Sequence, residues 1–194
     1  MKWSQMTTEQ KRRQVEAAHA AARGQQKPFD VKCKAAKTRE QTPEVYASPY
    51  ESQLRALLAR HDLHGIPQLA VGPYNCDLAI YPVSVEVWGG GWHFSGRHLA
   101  RTPERFRYLM NEGWNIYVIV ASATFPLTAT VADQAATYIK QTCRNPPPIC
   151  EYRVVWGASE FSISGRANDD EIAIVKPFTH RRDPRTGQYE RVAR

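Results

Sequence analysis

The chain has 194 residues, 42% of them hydrophobic and 23% charged, with 26 lysines and arginines against 19 aspartates and glutamates. That length suits one compact domain plus a small extra segment, and no apolar run approaches the ~20 residues a membrane-spanning helix needs, so no membrane partner is expected. A formal charge of +7 points instead to a polyanionic partner.

The first forty residues hold ten basic residues against four acidic ones and so carry most of the excess charge. Met1-Lys2-Trp3-Ser4-Gln5 has no apolar signal core, so secretion is not expected. Thr7-Thr8-Glu9-Gln10 predicts a helix start, with a hydroxyl cap answered three residues on, and Arg23-Gly24 its stop. Val15 and the alanines are its only apolar stripe. This basic arm, residues 1–45, is either a solvated, loosely docked segment or a strip that lies on nucleic-acid phosphates through residues such as Arg12, Arg13, Lys32 and Lys34.

Gln41 to Pro49 reads as a linker. Ser48-Pro49-Tyr50-Glu51 then predicts a helix with a capping box and proline at its first position, carrying Leu54, Leu57 and Leu58 inward and ending near His61 to Gly65. From Gln68 the period changes to two: Tyr74, Cys76, Leu78 and Ile80 alternate with Asn75, Asp77 and Ala79 in one strand, and Val83, Val85 and Val87 with Ser84, Glu86 and Trp88 in the next. A turn at Tyr81-Pro82 joins them into a hairpin. Thr102-Pro103 predicts a second helix, with Phe106, Leu109 and Met110 on one face and Gly113 at its end.

Asn115 to Val120 is a dense apolar run expected in the middle of a sheet, and Ala129 to Cys143 a third helix. After Asn145-Pro146-Pro147-Pro148, short strands are expected at Tyr152–Trp156, Phe161–Ser164 and Glu171–Val175, followed by a polar, frayed tail from His180. The expected class is therefore α/β, with a core over residues 46–144 and a small β segment over 145–194. The cysteines, Cys33, Cys76, Cys143 and Cys150, form no C-x-x-C pair, which argues against a zinc knuckle or a disulfide framework and for a reducing cytoplasm.

The chemistry concentrates around the hairpin. A turn centred on Tyr81-Pro82 sets Asp77 opposite Glu86, and like charges directly opposite on a sheet repel. A hard divalent cation removes that penalty; alternatively one side chain points to solvent or meets an arginine. Glu51 is a third candidate carboxylate, although its place in the Ser48 capping box already accounts for it. Three glycines then lead into Trp92-His93-Phe94-Ser95-Gly96-Arg97-His98. A histidine beside a carboxylate metal site suits proton transfer near neutral pH, which singles out His93, with His98 as an accessory; an isolated surface histidine often has no such role.

The order of a helix glutamate, then V-G-P-Y-N-C-D-L, V-S-V-E-V-W-G-G-G-W-H, an amphipathic helix ending L-M-N-E-G-W and an apolar strand resembles the Vsr-like endonucleases and the related EDxHD homing endonucleases, a branch of the PD-(D/E)XK restriction-endonuclease-like superfamily. The resemblance spans about residues 48–121. It implies a mixed sheet flanked by helices, here with a basic helical arm before it and a small β appendage after it. It further implies a metal-dependent DNA endonuclease, nicking or cutting both strands, with Glu51, Asp77 and Glu86 as ligands for Mg²⁺ (Mn²⁺ serving in its place) and His93 as general base or as the group that steadies the leaving oxygen.

Double-stranded DNA is the implied partner, with a homodimer left open and a nucleoid-associated phage or mobile-element protein as the setting; Arg97, Arg101 and Arg105, just downstream of the hairpin, read as phosphate clamps, Arg105 alternatively as part of a solvated helix face. Three departures stand out: Trp88 replaces the His or Asp of the relatives, Thr102 replaces a helix acid found in some, and no lysine follows Glu86. A catalytically silent DNA-binding or assembly protein on the same fold is the alternative.

Overall fold

The computed structural model describes residues 3–22, 24, 25, 27–174, 178–182 and 189–193. Two helices precede the core, α1 (Thr8–Ala22) and α2 (Phe29–Gln41), followed by the short α3 (Pro43–Tyr46) and by α4 (Pro49–Ala59). The sheet strands are β1 (Ile66–Val71), β2 (Tyr74–Ile80), β3 (Val83–Gly89), β4 (Asn115–Ala121), β5 (Glu151–Trp156) and β6 (Ser162–Arg166), joined in that spatial order into one six-stranded sheet. β1, β2 and β3 form an antiparallel meander; β4 and β5 run parallel to β3, and β6 is antiparallel to β5. Each parallel step needs a helical crossover. α5 (Gly96–Asn111) supplies the first and α6 (Ala129–Arg144) the second.

Strand alternation divides the core into two layers. Val83, Val85 and Val87 pack with Leu54 and Leu58 of α4 and with Val131, Ala135 and Ile139 of α6. On the opposite face Trp88, Ile116, Val118 and Trp156 pack with Phe106, Leu109 and Met110 of α5. β4 is buried along its whole length, as an apolar strand covered on both faces must be.

Helix starts follow local chemistry. Ser48 and Glu51 close a full capping box on α4. α5 begins at Gly96 rather than at the expected Thr102, and carries Pro103 within it. The missing proline N–H leaves the Leu99 carbonyl without its helical donor, and the Thr102 hydroxyl turns back to bond the adjacent His98 carbonyl (2.9 Å). Six extra residues of helix bring Arg97, His98 and Arg101 onto the same element as Arg105.

Beyond 145 two of the three expected strands form, as β5 and β6, but their place departs from expectation. β5 and β6 extend the main sheet, so this segment is no appendage: the apolar Tyr152, Val154 and Trp156 complete a core layer that β4 alone leaves open. No ladder forms over 171–174; Ile172 and Ile174 are buried as plugs under α5 instead, and Val175 lies outside the described residues. The tail expected to fray contains a separate hairpin of β7 (Phe178–Arg182) and β8 (Tyr189–Ala193). Arg23 and residues 183–188 are likewise outside the described residues.

The N-terminal segment also divides. α1 buries no side chain among the described residues, and its Glu9 pairs with both Arg12 and Arg13 at 3.0 Å. α2 lies against the outer strand: Ala36 is buried, its carbonyl accepts from Asn75 Nδ2 (2.8 Å), and the Glu40 carboxylate accepts from the Ala70 N–H of β1 (3.0 Å). Covering an edge strand in this way occupies backbone groups that would otherwise invite foreign pairing.

Ser48→Ala should lower unfolding free energy by about 1 kcal/mol, as lost caps do. Gly72→Ala should be harsher, since residue 72 has φ +56° and an added Cβ would strike the Tyr108 hydroxyl. Urea unfolding of both variants measures the difference.

Candidate active site

β2 and β3 pair from Ile80↔Val83 as far as Leu78↔Val85. The next position sets Asp77 against Glu86, and there a side chain takes over from the ladder: Asp77 Oδ2 accepts the Val87 N–H at 2.9 Å. Asp77 and Glu86 form the floor of a cleft of about 560 Å³. Arg39 of α2, Gln68, Tyr74 and Asn75 line it as well, together with Arg97, His98, Arg101, Thr102 and Arg105 of α5 and with Trp88 and His93.

Glu86 is 1% exposed and is bonded twice over. The Ser84 hydroxyl donates to Oε1 (2.9 Å), and Arg105 Nη2 donates to Oε2 (2.5 Å). The same guanidinium group donates to the Asn75 carbonyl (2.7 Å), while its Nε is buried without a hydrogen-bond partner. Burial pulls the Arg105 pKa down, but Glu86 and Asp77 outweigh it and hold it above the ordinary arginine value. Glu86 therefore meets an arginine, one of the outcomes the sequence left open.

Asp77 is less well compensated. Burial, then the charges of Glu86 and Glu51, hold its carboxyl well above the usual aspartate range, against the opposing pull of Arg105 and the Val87 N–H. Glu86 is raised as well, by burial first, with Arg105 and Ser84 opposing. Glu51 sits at the first turn of α4 with Oε1 accepting the Ser48 N–H (3.0 Å) and Oε2 accepting Gln68 Nε2 (2.8 Å). The capping role and proximity to Asp77 therefore coexist.

His93 lies flat on Trp88, ring centroids 5.1 Å apart and planes within 2°. Burial, then the neighbouring His98 and Arg105, push its pKa down to about 4, so the ring is neutral at pH 7. Its His98 neighbour is 6.2 Å away, ring to ring. Trp88, one of the departures from the family pattern, is thus the shelf that orients His93.

Of the basic residues singled out from sequence, Arg97, Arg101 and Arg105 line the cleft, Arg105 pointing inward as a counter-ion rather than outward. Arg12, Arg13, Lys32 and Lys34 do not line it; Lys34 lies 3.8 Å from Asp30 on its own helix. Three cleft residues escaped the sequence reading, Arg39, Gln68 and Asn75, as did Ser84, which bonds Glu86. Ser84-x-Glu86 spacing on a strand signals a shared face, and Gln68 is the one polar residue in Ile66–Val71. Nothing local marks Arg39.

Among the described residues no three His, Cys, Asp or Glu side chains already converge as a metal-ligand set. The donor chemistry nonetheless fits a hard divalent cation. Asp77 and Glu86 line the cleft, Glu51 lies near enough to raise the Asp77 carboxyl, Asp77 resists ionising there, and no described donor bonds its second oxygen. Comparison of the chain with protein-family models, curated proteins and solved structures gives no match.

The two carboxylates should respond oppositely to neutralisation. A carboxyl whose folded pKa is raised destabilises the fold once pH exceeds its unfolded value near 3.9, and fully so above the folded value. Asp77→Asn keeps the Val87 bond, removes that charge and should raise the melting temperature at pH 7–8. Glu86→Gln strands Arg105 and should cost about 3–5 kcal/mol, the range for halving a buried pair. Thermal unfolding across pH 4–8 separates the two.

Proposed function

We propose that this protein is a metal-dependent DNA endonuclease that hydrolyses phosphodiester bonds, similar to the Vsr-like and EDxHD homing branch of the PD-(D/E)XK superfamily. The observation that carries the reading is an arginine-walled cleft lined by the buried Asp77 and Glu86 of two adjacent strands and by a neutral histidine, with Glu51 of α4 close enough to raise the Asp77 carboxyl. The fold supports it in outline, as a mixed α/β sheet whose meander presents its carboxylates at the open end of a strand pair.

Asp77 and Glu51 are the residues that would hold Mg²⁺ or Mn²⁺, and Glu86, tied to Arg105, sets the charge around them. Such an ion lowers the pKa of a bound water and offsets charge developing on a phosphate. Arg97, Arg101 and Arg39 present cations toward a phosphodiester in the cleft, and each such contact adds salt-sensitive grip. His93, neutral at pH 7 and fixed by Trp88, is in the state that accepts a proton from water. Arg105 opposes the rise that burial imposes on the Glu86 carboxyl and stays bonded to it, a task for which the sequence offers no lysine after Glu86.

Double-stranded DNA is the proposed partner, the basic α1 adding sequence-independent attraction, and a phage or mobile element the proposed setting.

The Glu86–Arg105 pair also favours a second reading, a catalytically silent DNA-binding or assembly protein, because one carboxylate is already neutralised without a metal. A cleavage assay on supercoiled plasmid decides between them. The expected result is conversion to open circle or linear DNA with Mg²⁺, none with EDTA and none with Asp77→Asn. His93→Ala should lose roughly 10²–10⁴-fold in rate, the usual worth of a positioned acid–base group. Arg97→Ala and Arg101→Ala should each flatten the salt dependence of DNA binding by about one phosphate contact. Binding without conversion, on plasmid and genomic DNA alike, overturns the enzyme in favour of the binder.

A further inference from the structure

Two residues other than glycine take a left-handed backbone among the described residues, Asp62 at φ 57° and Gln68 at φ 51°. Asp62 follows α4 in a turn, where a short side chain tolerates that conformation. Gln68 has no such excuse, because it lies within β1. The pairs on either side of it, Pro67↔Leu78 and Leu69↔Cys76, keep one register, so no residue is inserted and only position 68 is rotated. Strained backbone of this kind persists where surrounding contacts over-determine it, and it gathers at functional sites.

The contacts are specific. Gln68 is 6% exposed and lines the cleft, in the register position across from Asp77. Its backbone carbonyl accepts from Asn75 Nδ2 (2.8 Å), the group that also bonds the Ala36 carbonyl of α2. Its side-chain Nε2 donates to Glu51 Oε2 (2.8 Å). The capping box fixes only the other oxygen of Glu51, leaving the plane of the carboxylate free to turn about that bond. Two bonds, one to each oxygen, set the plane, and each oxygen retains a lone pair for a further partner.

We propose that Gln68 is the positioning residue that holds the Glu51 carboxylate turned toward Asp77, with the left-handed backbone at position 68 aiming its carboxamide there. The proposal rests on reading the cleft as a metal-dependent nuclease. Gln68 touches the carboxylate and acts through it.

The test uses the full chain with Mn²⁺ alone as probe. Gln68→Gly relieves the backbone and removes the carboxamide; Gln68→Asn tolerates the same backbone but falls one methylene short of Glu51. Both should unfold at or above the wild-type temperature yet bind Mn²⁺ at least tenfold more weakly by calorimetry. Glu51→Gln, which still completes a capping box, should show the same loss, and Gln68→Gly/Glu51→Gln no greater loss than either alone. Wild-type Mn²⁺ affinity in Gln68→Gly, or losses that multiply in the double variant, would overturn the proposal. If the wild-type protein binds no Mn²⁺, the nuclease reading fails separately. Positioning is then judged by the Gln68 side-chain amide resonances in NMR, which should move in Glu51→Gln; unmoved resonances reject it.

Discussion

Two buried carboxylates, Asp77 and Glu86, line a single cleft with Glu51 near enough to repel Asp77, and the one guanidinium bonded among them, Arg105, pairs with Glu86; the site is organised around that imbalance. Burying a carboxylate is costly unless it is paired and hydrogen-bonded, and Glu86 is both, through Arg105 and Ser84. One arginine cannot serve two more acids. Asp77 is left with a single backbone donor and the repulsion of its neighbours, a cost the scaffold bears at one position. Groups held away from their ordinary titration range in an open cleft are characteristic of sites kept for chemistry rather than for stability.

The scaffold around that floor is rigid for identifiable reasons. β3 and β4 are covered on both faces, so the strand carrying Glu86 has no freedom to shift register without exposing an apolar layer. Asn75 then ties three elements together, its side chain reaching α2 and β1 and its carbonyl receiving Arg105 of α5. Through these bonds α2 is held beside the cleft, and its Arg39 lines it together with Arg97 and Arg101 of α5. The basic segment before the core is therefore not uniform: α1 buries no side chain among the described residues, while α2 is built in.

Much of this was legible beforehand, for physical reasons particular to each element. The capping box of α4 is a four-residue local pattern, and it formed as read. The hairpin register followed from period-two alternation about Tyr81-Pro82, which is why Asp77 and Glu86 face each other as expected. α5 was misplaced at its start because proline at a first helical position is the commoner signal, and the Thr102 bond that eases an interior proline is visible only once the helix exists. The residues after 145 were read as separate because short alternating strands declare that they pair but not with what.

What the sequence by itself determined is local: which faces of each helix and strand are apolar, where helices begin under a cap, and which polar residues stand on the site side of the hairpin. These depend on periods of 3.6 and 2.0 and on contacts within a few residues. Only the tertiary structure decided that Glu86 meets Arg105, 19 positions away, that Gln68 reaches Glu51, 17 positions away, and that β5 completes the main sheet. Those partners are chosen by how the α5 crossover and the meander pack against β3. Packing is a property of the assembled layers, and no single stretch of chain encodes it.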